Sequence, residues 1–195
     1  MKRALIVHGW TANPQMHWFP DLIQFLKEQG YQTEAPVMPE RFTPVENVWV
    51  KVIEDFGPDK KTILLGHSLG GTTILEYLEN TDKKVDKVIL FGTPIRNHES
   101  LELGEIHSYK LYAQSVAIEC LLDLTGYEEI YDWENIRQKA NNFSLIYKRD
   151  DKLVPLDDGK VLAKRLDAKI HILEGHDHCD YVDFRLLQNL VMGDA

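Results

Sequence analysis

The chain has 195 residues, with 22 Lys or Arg against 31 Asp or Glu, a formal charge of −9. An apolar share of 44% with 27% charged residues is ordinary globular composition, which excludes a disordered or low-complexity chain. An acidic chain without a basic block is poorly suited to phosphate backbones or anionic lipid, so neither nucleic acid nor a membrane surface is an expected partner. Short apolar runs alternate with amphipathic segments along the whole length. The first, ALIVHG at 4–9, follows only two basic residues and lacks a small-residue cleavage pattern, so it reads as a buried strand and not a signal peptide. Phe19, Leu22, Ile23 and Leu26 then form a helical stripe, with Gly30 placed as its C-terminal stop. TEAPVM at 33–38 contains a proline and reads as an edge strand. Val45, Val48, Trp49, Val52, Ile53 and Phe56 make a second stripe. It opens on a capping box of Thr43, Pro44 and Glu46 and stops at Gly57-Pro58.

TILLGHS at 62–68 is the next strand and runs directly into a helix over Leu69–Asn80. KVILFG at 87–92, FSLIYK at 143–148 and KIHILEG at 169–175 complete six strands. Their unbroken apolarity, without polar alternation, predicts strands covered on both faces, as in a parallel sheet. Further helices are expected around 106–123, 132–140, 157–166 and 181–191. Residues 94–131 are longer than a crossover needs. They form either a small cap over the strand ends or an ordinary helix with a long loop. With no internal repeat and no Pro/Gly/Ser linker, residues 1–195 read as one α/β domain, a mostly parallel six-stranded sheet with helices on both faces. Two cysteines, Cys120 and Cys179, do not make a disulfide framework, and no apolar stretch reaches the ~20 residues of a membrane span. A soluble cytoplasmic protein is the expectation.

Gly66-His67-Ser68-Leu69-Gly70 is a G-x-S-x-G sequence between a buried strand and a helix. A sharp turn there lifts the serine hydroxyl above the sheet and aims the following backbone N–H at a developing oxyanion. A serine needs a base to take its proton and a third group to orient that base. Candidates lie past the C-termini of the later strands, the edge where open α/β sheets place their sites: Asp150 and Asp151 after FSLIYK, His176 and His178 after KIHILEG. His176-x-His178-x-Asp180 opens like a metallo-hydrolase motif. Tyr181 stands where its closing histidine belongs and no histidine follows, so no metal is expected. Trp10 follows His8-Gly9 at the end of the first strand; its ring either walls an acyl pocket or packs. Trp18 is expected to pack beside Phe19, and Cys179 to be a small buried filler.

The D-x-x-V-P at Asp151–Pro155 and the G-x-D-H at Gly175–His178 resemble the acid and histidine loops of α/β-hydrolases. The stretch VHGWTANPQMHWFPDL narrows the likeness to small hydrolases of the retinoblastoma-binding-protein-9/YdeN type, over nearly the whole chain. The resemblance implies a three-layer α/β-hydrolase sandwich. It makes Ser68 the nucleophile, Asp151 the orienting acid and His178 the base, and gives the backbone N–H groups of Trp10 and Leu69 to the oxyanion hole. The distance to Val154-Pro155 favours Asp151 over its rival Asp150, and His178 is preferred to His176. The implied activity is hydrolysis of a small carboxylic ester or related acyl compound through an acyl-enzyme, with no cofactor and no metal. The alternative is a hydrolase fold used as a binding module with little turnover.

Overall fold

Six strands, all in parallel pairs, form one sheet in a computed structural model that describes residues 1–42, 44, 46–95 and 131–193. They are β1 (Arg3–Val7), β2 (Gln32–Glu34), β3 (Thr62–His67), β4 (Val85–Phe91), β5 (Ala140–Lys148) and β6 (Lys169–Leu173), in spatial order β2-β1-β3-β4-β5-β6. The described helices are α1 (Phe19–Glu28), α2 (Glu46–Phe56), α3 (Leu69–Asn80), α4 (Trp133–Arg137), α5 (Leu156–Leu166) and α6 (Phe184–Met192).

Successive residues of each strand point to opposite faces, and both faces are apolar. Leu5, Val7, Leu64, Val88, Leu90 and Leu145 face one core, which Trp49 and Ile53 of α2, Ile74 and Leu78 of α3, Ile136 of α4 and Leu162 of α5 complete. Ala4, Ile6, Ile63, Leu65, Ile89, Phe91 and Ile146 face the other, closed by Phe19, Leu22 and Leu26 of α1 and Leu187, Leu190 and Val191 of α6. The three-layer α/β arrangement expected from the alternating runs is therefore present. Arg3 ties the layers at their edge. Its guanidinium donates to the Phe56 and Gly57 carbonyls, both at 2.6 Å, satisfying acceptors that the end of α2 leaves open.

Several boundaries differ from the sequence reading. β2 is three residues long and ends before Pro36, because a proline cannot donate to the ladder. β6 is an edge strand whose residues are all partly or fully exposed, so its apolar run does not signal cover on both faces. Val48 belongs to the solvent side of α2, with Trp49 and Ile53 carrying the burial. α4 spans only Trp133–Arg137 because β5 begins three residues earlier than its apolar run, at Ala140. The capping residue Thr43, Val45 and the segment 96–130, with the expected helix at 106–123 and the cap, lie outside the described residues. Among the described residues no helix is long and apolar enough to cross a membrane.

The strand order reverses at β1: the chain moves outward to β2, then returns on the other side to β3. Between β1 and β3 the outgoing connections leave in opposite directions, and the C-terminal edge at such a point is the place where open α/β sheets bind ligands. His8-Gly9 leaves β1 and Ser68 leaves β3 at this point.

Candidate active site

Ser68 caps α3 with a backbone of φ 53° and ψ −125°, a conformation that residues bearing a β-carbon rarely adopt. Its N–H donates to the Phe91 carbonyl at 2.8 Å, which bends the chain out of β3 over the end of β4. The turn survives because glycines, Gly66 and Gly70, stand two residues to either side of Ser68. A β-carbon on Gly70 would run into the Val7 and His8 carbonyls, so α3 can start here only while that position is glycine. α3 has no acidic residue in its first turn, so its N-terminal dipole faces Ser68 uncompensated.

Asp151 and His178 meet beyond the C-termini of β5 and β6. The His178 Nδ1 lies 2.6 Å from Asp151 Oδ2, and the acid's side chain is fully buried. The other oxygen, Oδ1, accepts the backbone N–H groups of Leu153 at 2.8 Å and Val154 at 3.1 Å. A carboxylate holding three donors has no freedom to rotate, so the imidazole it faces is fixed as well. An acceptor-only carboxylate requires the hydrogen on Nδ1, which leaves Nε2 of a neutral His178 as a free base. Asp150 is exposed, and among the described residues it offers only its backbone N–H, to the Gly175 carbonyl. His176 is exposed as well. Among the described residues no group of three or more His, Cys, Asp or Glu side chains is placed to hold a metal ion.

Gly92, at φ 50°, makes room for this pair. A β-carbon there would stand 3.0 Å from His178 Cε1 and 3.6 Å from Asp151 Oδ2. The preceding residue, Phe91, holds the Ser68 N–H, so one dipeptide at the end of β4 touches all three candidate groups or their supports. Among the described residues no hydrogen bond joins the Ser68 hydroxyl to His178. Such contacts are often long without substrate and tighten when it binds.

The turn after β1 is fixed by a buried histidine. His8 Nδ1 donates to the Gly9 carbonyl at 2.7 Å, and its Nε2 accepts the Met38 N–H at 2.8 Å. Burial lowers the pKa of His8, which suits a ring using one nitrogen as donor and the other as acceptor. The indole of Trp10 is also committed, donating to the Phe42 carbonyl at 3.1 Å. The backbone N–H groups of Trp10 and Leu69 donate to no described acceptor and remain available to a ligand oxygen.

Other residues bind the histidine loop in ways the sequence reading did not include. Lys148, the buried last residue of β5, lies 3.3 Å from Asp177 Oδ2 and donates to the Glu174 carbonyl at 3.3 Å. Trp18 packs against Phe19 and Phe91, and its Nε1 also donates to the Cys179 carbonyl at 3.0 Å. The Cys179 thiol is fully buried, and burial pushes its pKa up to about 12, so it is no nucleophile. Gly92 and Lys148 each close an apolar run in the sequence. A break from apolar to glycine or lysine at a parallel-strand C-terminus was the signal available for both.

Similarity to known proteins agrees with this geometry. The sequence pattern of the serine hydrolase family matches residues 4–183. The Bacillus subtilis protein YdeN is 27% identical over 179 residues, covering 91% of this chain and 85% of YdeN. Serine hydrolase RBBP9 of Rattus norvegicus is 26% identical over 186 residues, covering 94% of this chain and 85% of RBBP9. The crystal structure of the B. subtilis ydeN gene product superposes with a TM-score of 0.81 at 23% identity, over 100% of this chain and 98% of that one. With its fold and nine-tenths of its length accounted for in this way, the chain belongs to the serine hydrolase family, on an α/β-hydrolase fold.

Proposed function

We propose that this serine hydrolase is a single-domain, esterase-like enzyme that cleaves a small carboxylic ester or related acyl compound through Ser68, His178 and Asp151. The observation that carries the reading is the buried Asp151–His178 bond of 2.6 Å, set over the strand end whose carbonyl holds the strained Ser68 turn. In the proposed reaction His178 Nε2 takes the Ser68 proton as Oγ attacks the carbonyl carbon. The oxyanion accepts the free N–H groups of Trp10 and Leu69. His178 then gives its proton to the leaving alkoxide, and the acyl-enzyme remains. A water, deprotonated by the same nitrogen, attacks the ester carbon, and collapse of the second oxyanion frees the acid and Ser68. The Asp151 carboxylate, bonded to Nδ1, steadies the imidazolium formed in both halves. The steps call for no cofactor.

A fluorophosphonate probe tests this reading directly. The wild-type protein is expected to gain the mass of one phosphonyl group, and Ser68→Ala none. An unmodified wild-type protein that also fails to hydrolyse p-nitrophenyl acetate would overturn it.

A further inference from the structure

We propose that His67 is a positioning residue for the candidate base: its ring N–H holds the His178 carbonyl and thereby sets the imidazole of His178 at Asp151 and above Ser68. This inference rests on the triad reading and adds a residue to it.

His67 is the variable residue of Gly66-His67-Ser68, so the chain joins it directly to the candidate nucleophile. As the last residue of β3 it points away from the Ser68 hydroxyl, into the layer of α1. There it is 3% exposed, with ring centroids of Phe19 at 6.0 Å, His17 at 5.6 Å and His178 at 5.1 Å. Its Nε2 lies 2.7 Å from the carbonyl oxygen of His178. A carbonyl only accepts, so Nε2 carries the hydrogen, and in a neutral ring Nδ1 is then bare. Among the described residues Nδ1 is buried with no partner, only 3.2 Å from where a β-carbon on Gly9 would stand.

That orphaned lone pair is informative. A buried acceptor without a donor is unfavourable, and an apolar ring would fill the same space without it. The feature only histidine supplies here is the N–H on the far nitrogen. Burial and the neighbouring His178 drive the His67 pKa down to about 3, so the ring keeps one proton, which stays on Nε2 and is donated to the His178 carbonyl. The neighbouring residues of the loop are tied elsewhere, Asp177 to Lys148 of β5 and Cys179 to Trp18 beside α1. Among the described residues the His67 bond is the one that holds the backbone of residue 178, while Asp151 holds its ring. Linked by the backbone to Ser68 and by its ring to His178, His67 acts as the spacer between the two.

Three substitutions separate the donor from the filler. His67→Gln keeps an N–H at the reach of Nε2, His67→Asn places one too short to reach, and His67→Phe keeps the ring without a donor. Hydrolysis of p-nitrophenyl acetate is measured for each, with thermal unfolding as the check on folding. A displacement of about 1 Å in a reacting group costs on the order of 10²-fold. His67→Asn and His67→Phe are therefore expected to lose about 100-fold in kcat with KM within about twofold, and His67→Gln to recover to within about tenfold of wild type. If His67→Phe does not fold, the Asn and Gln pair carries the comparison. Wild-type kcat in His67→Asn or His67→Phe overturns the proposal, and so does an equal loss in Asn and Gln. Either result leaves the hydrolase reading standing, because that reading is decided on the wild-type protein and Ser68→Ala.

Discussion

Ser68 pays for its position in backbone strain, since a residue with a β-carbon at φ 53°, ψ −125° sits about 1–3 kcal/mol above a relaxed conformation. Alanine shares that strain and glycine does not. Ser68→Ala should therefore unfold at the wild-type urea midpoint while losing about 10⁶ in kcat, whereas Ser68→Gly should be equally inactive but more stable by about 1 kcal/mol. An Ser68→Gly protein less stable than Ser68→Ala would contradict the strain argument. The acid assignment is testable in the same assay. Among the described residues Asp151 accepts three hydrogen bonds, and Asp150 contributes only its backbone N–H. Asp151→Asn favours the wrong imidazole tautomer and should cost about 10⁴ in kcat, whereas Asp150→Asn should stay within about threefold of wild type. Damage from Asp150→Asn alone would move the acid one residue back.

At the scale of elements, the joint between β3 and α3 leaves no room for a side chain at Gly70. Gly70 passes against the backbone carbonyls of Val7, the last residue of β1, and of His8, which follows it, and neither can swing aside like a side chain. Gly70→Ala is expected to lower stability by about 3 kcal/mol or more, read as a drop in the urea midpoint with an unchanged slope. A wild-type midpoint would mean that α3 can slide away from β1 at little cost. This joint was legible in the sequence because strand, turn and helix each left a local mark, and α3 starts and stops where its pattern does, at Leu69 and Asn80. Elements set by partners were less legible. Ile170 and Ile172 resemble core residues, yet among the described residues β6 has no strand on its outer side, and sequence does not state which strand is last in the sheet. The tethers of the histidine loop were hidden for a related reason. Trp18 and Cys179 are 161 residues apart, and an indole on an apolar helix face gives no sign that its N–H is engaged.

Across the whole molecule, buried neutral histidines link folding to pH. The His67 pKa lies at about 3 in the folded protein against an ordinary 6.5, because burial opposes the charged ring. Burial also lowers the pKa of His8. The unfolded chain takes up a proton on His67 as pH falls through 6.5, and the folded chain does not until about 3. The unfolded state thus binds more protons over that interval, and stability falls with decreasing pH across it. Above 6.5 both states are neutral at this site and it adds no slope. Each pH unit between the two values is worth about 1.4 kcal/mol, so moving from pH 7 to pH 5 should remove about 2 kcal/mol through His67 alone. Carboxylates titrate in the lower part of the same range, so a wild-type curve cannot isolate this contribution. His67→Gln can, since glutamine keeps a donor and has nothing to protonate. Urea unfolding at pH 7 and pH 5 should show a loss for the wild-type protein that exceeds the loss for His67→Gln by about 2 kcal/mol. Equal losses in the two proteins would mean that the folded protein admits a proton at His67, and with it a charge beside His178 that the packing of β3 against α1 is expected to exclude.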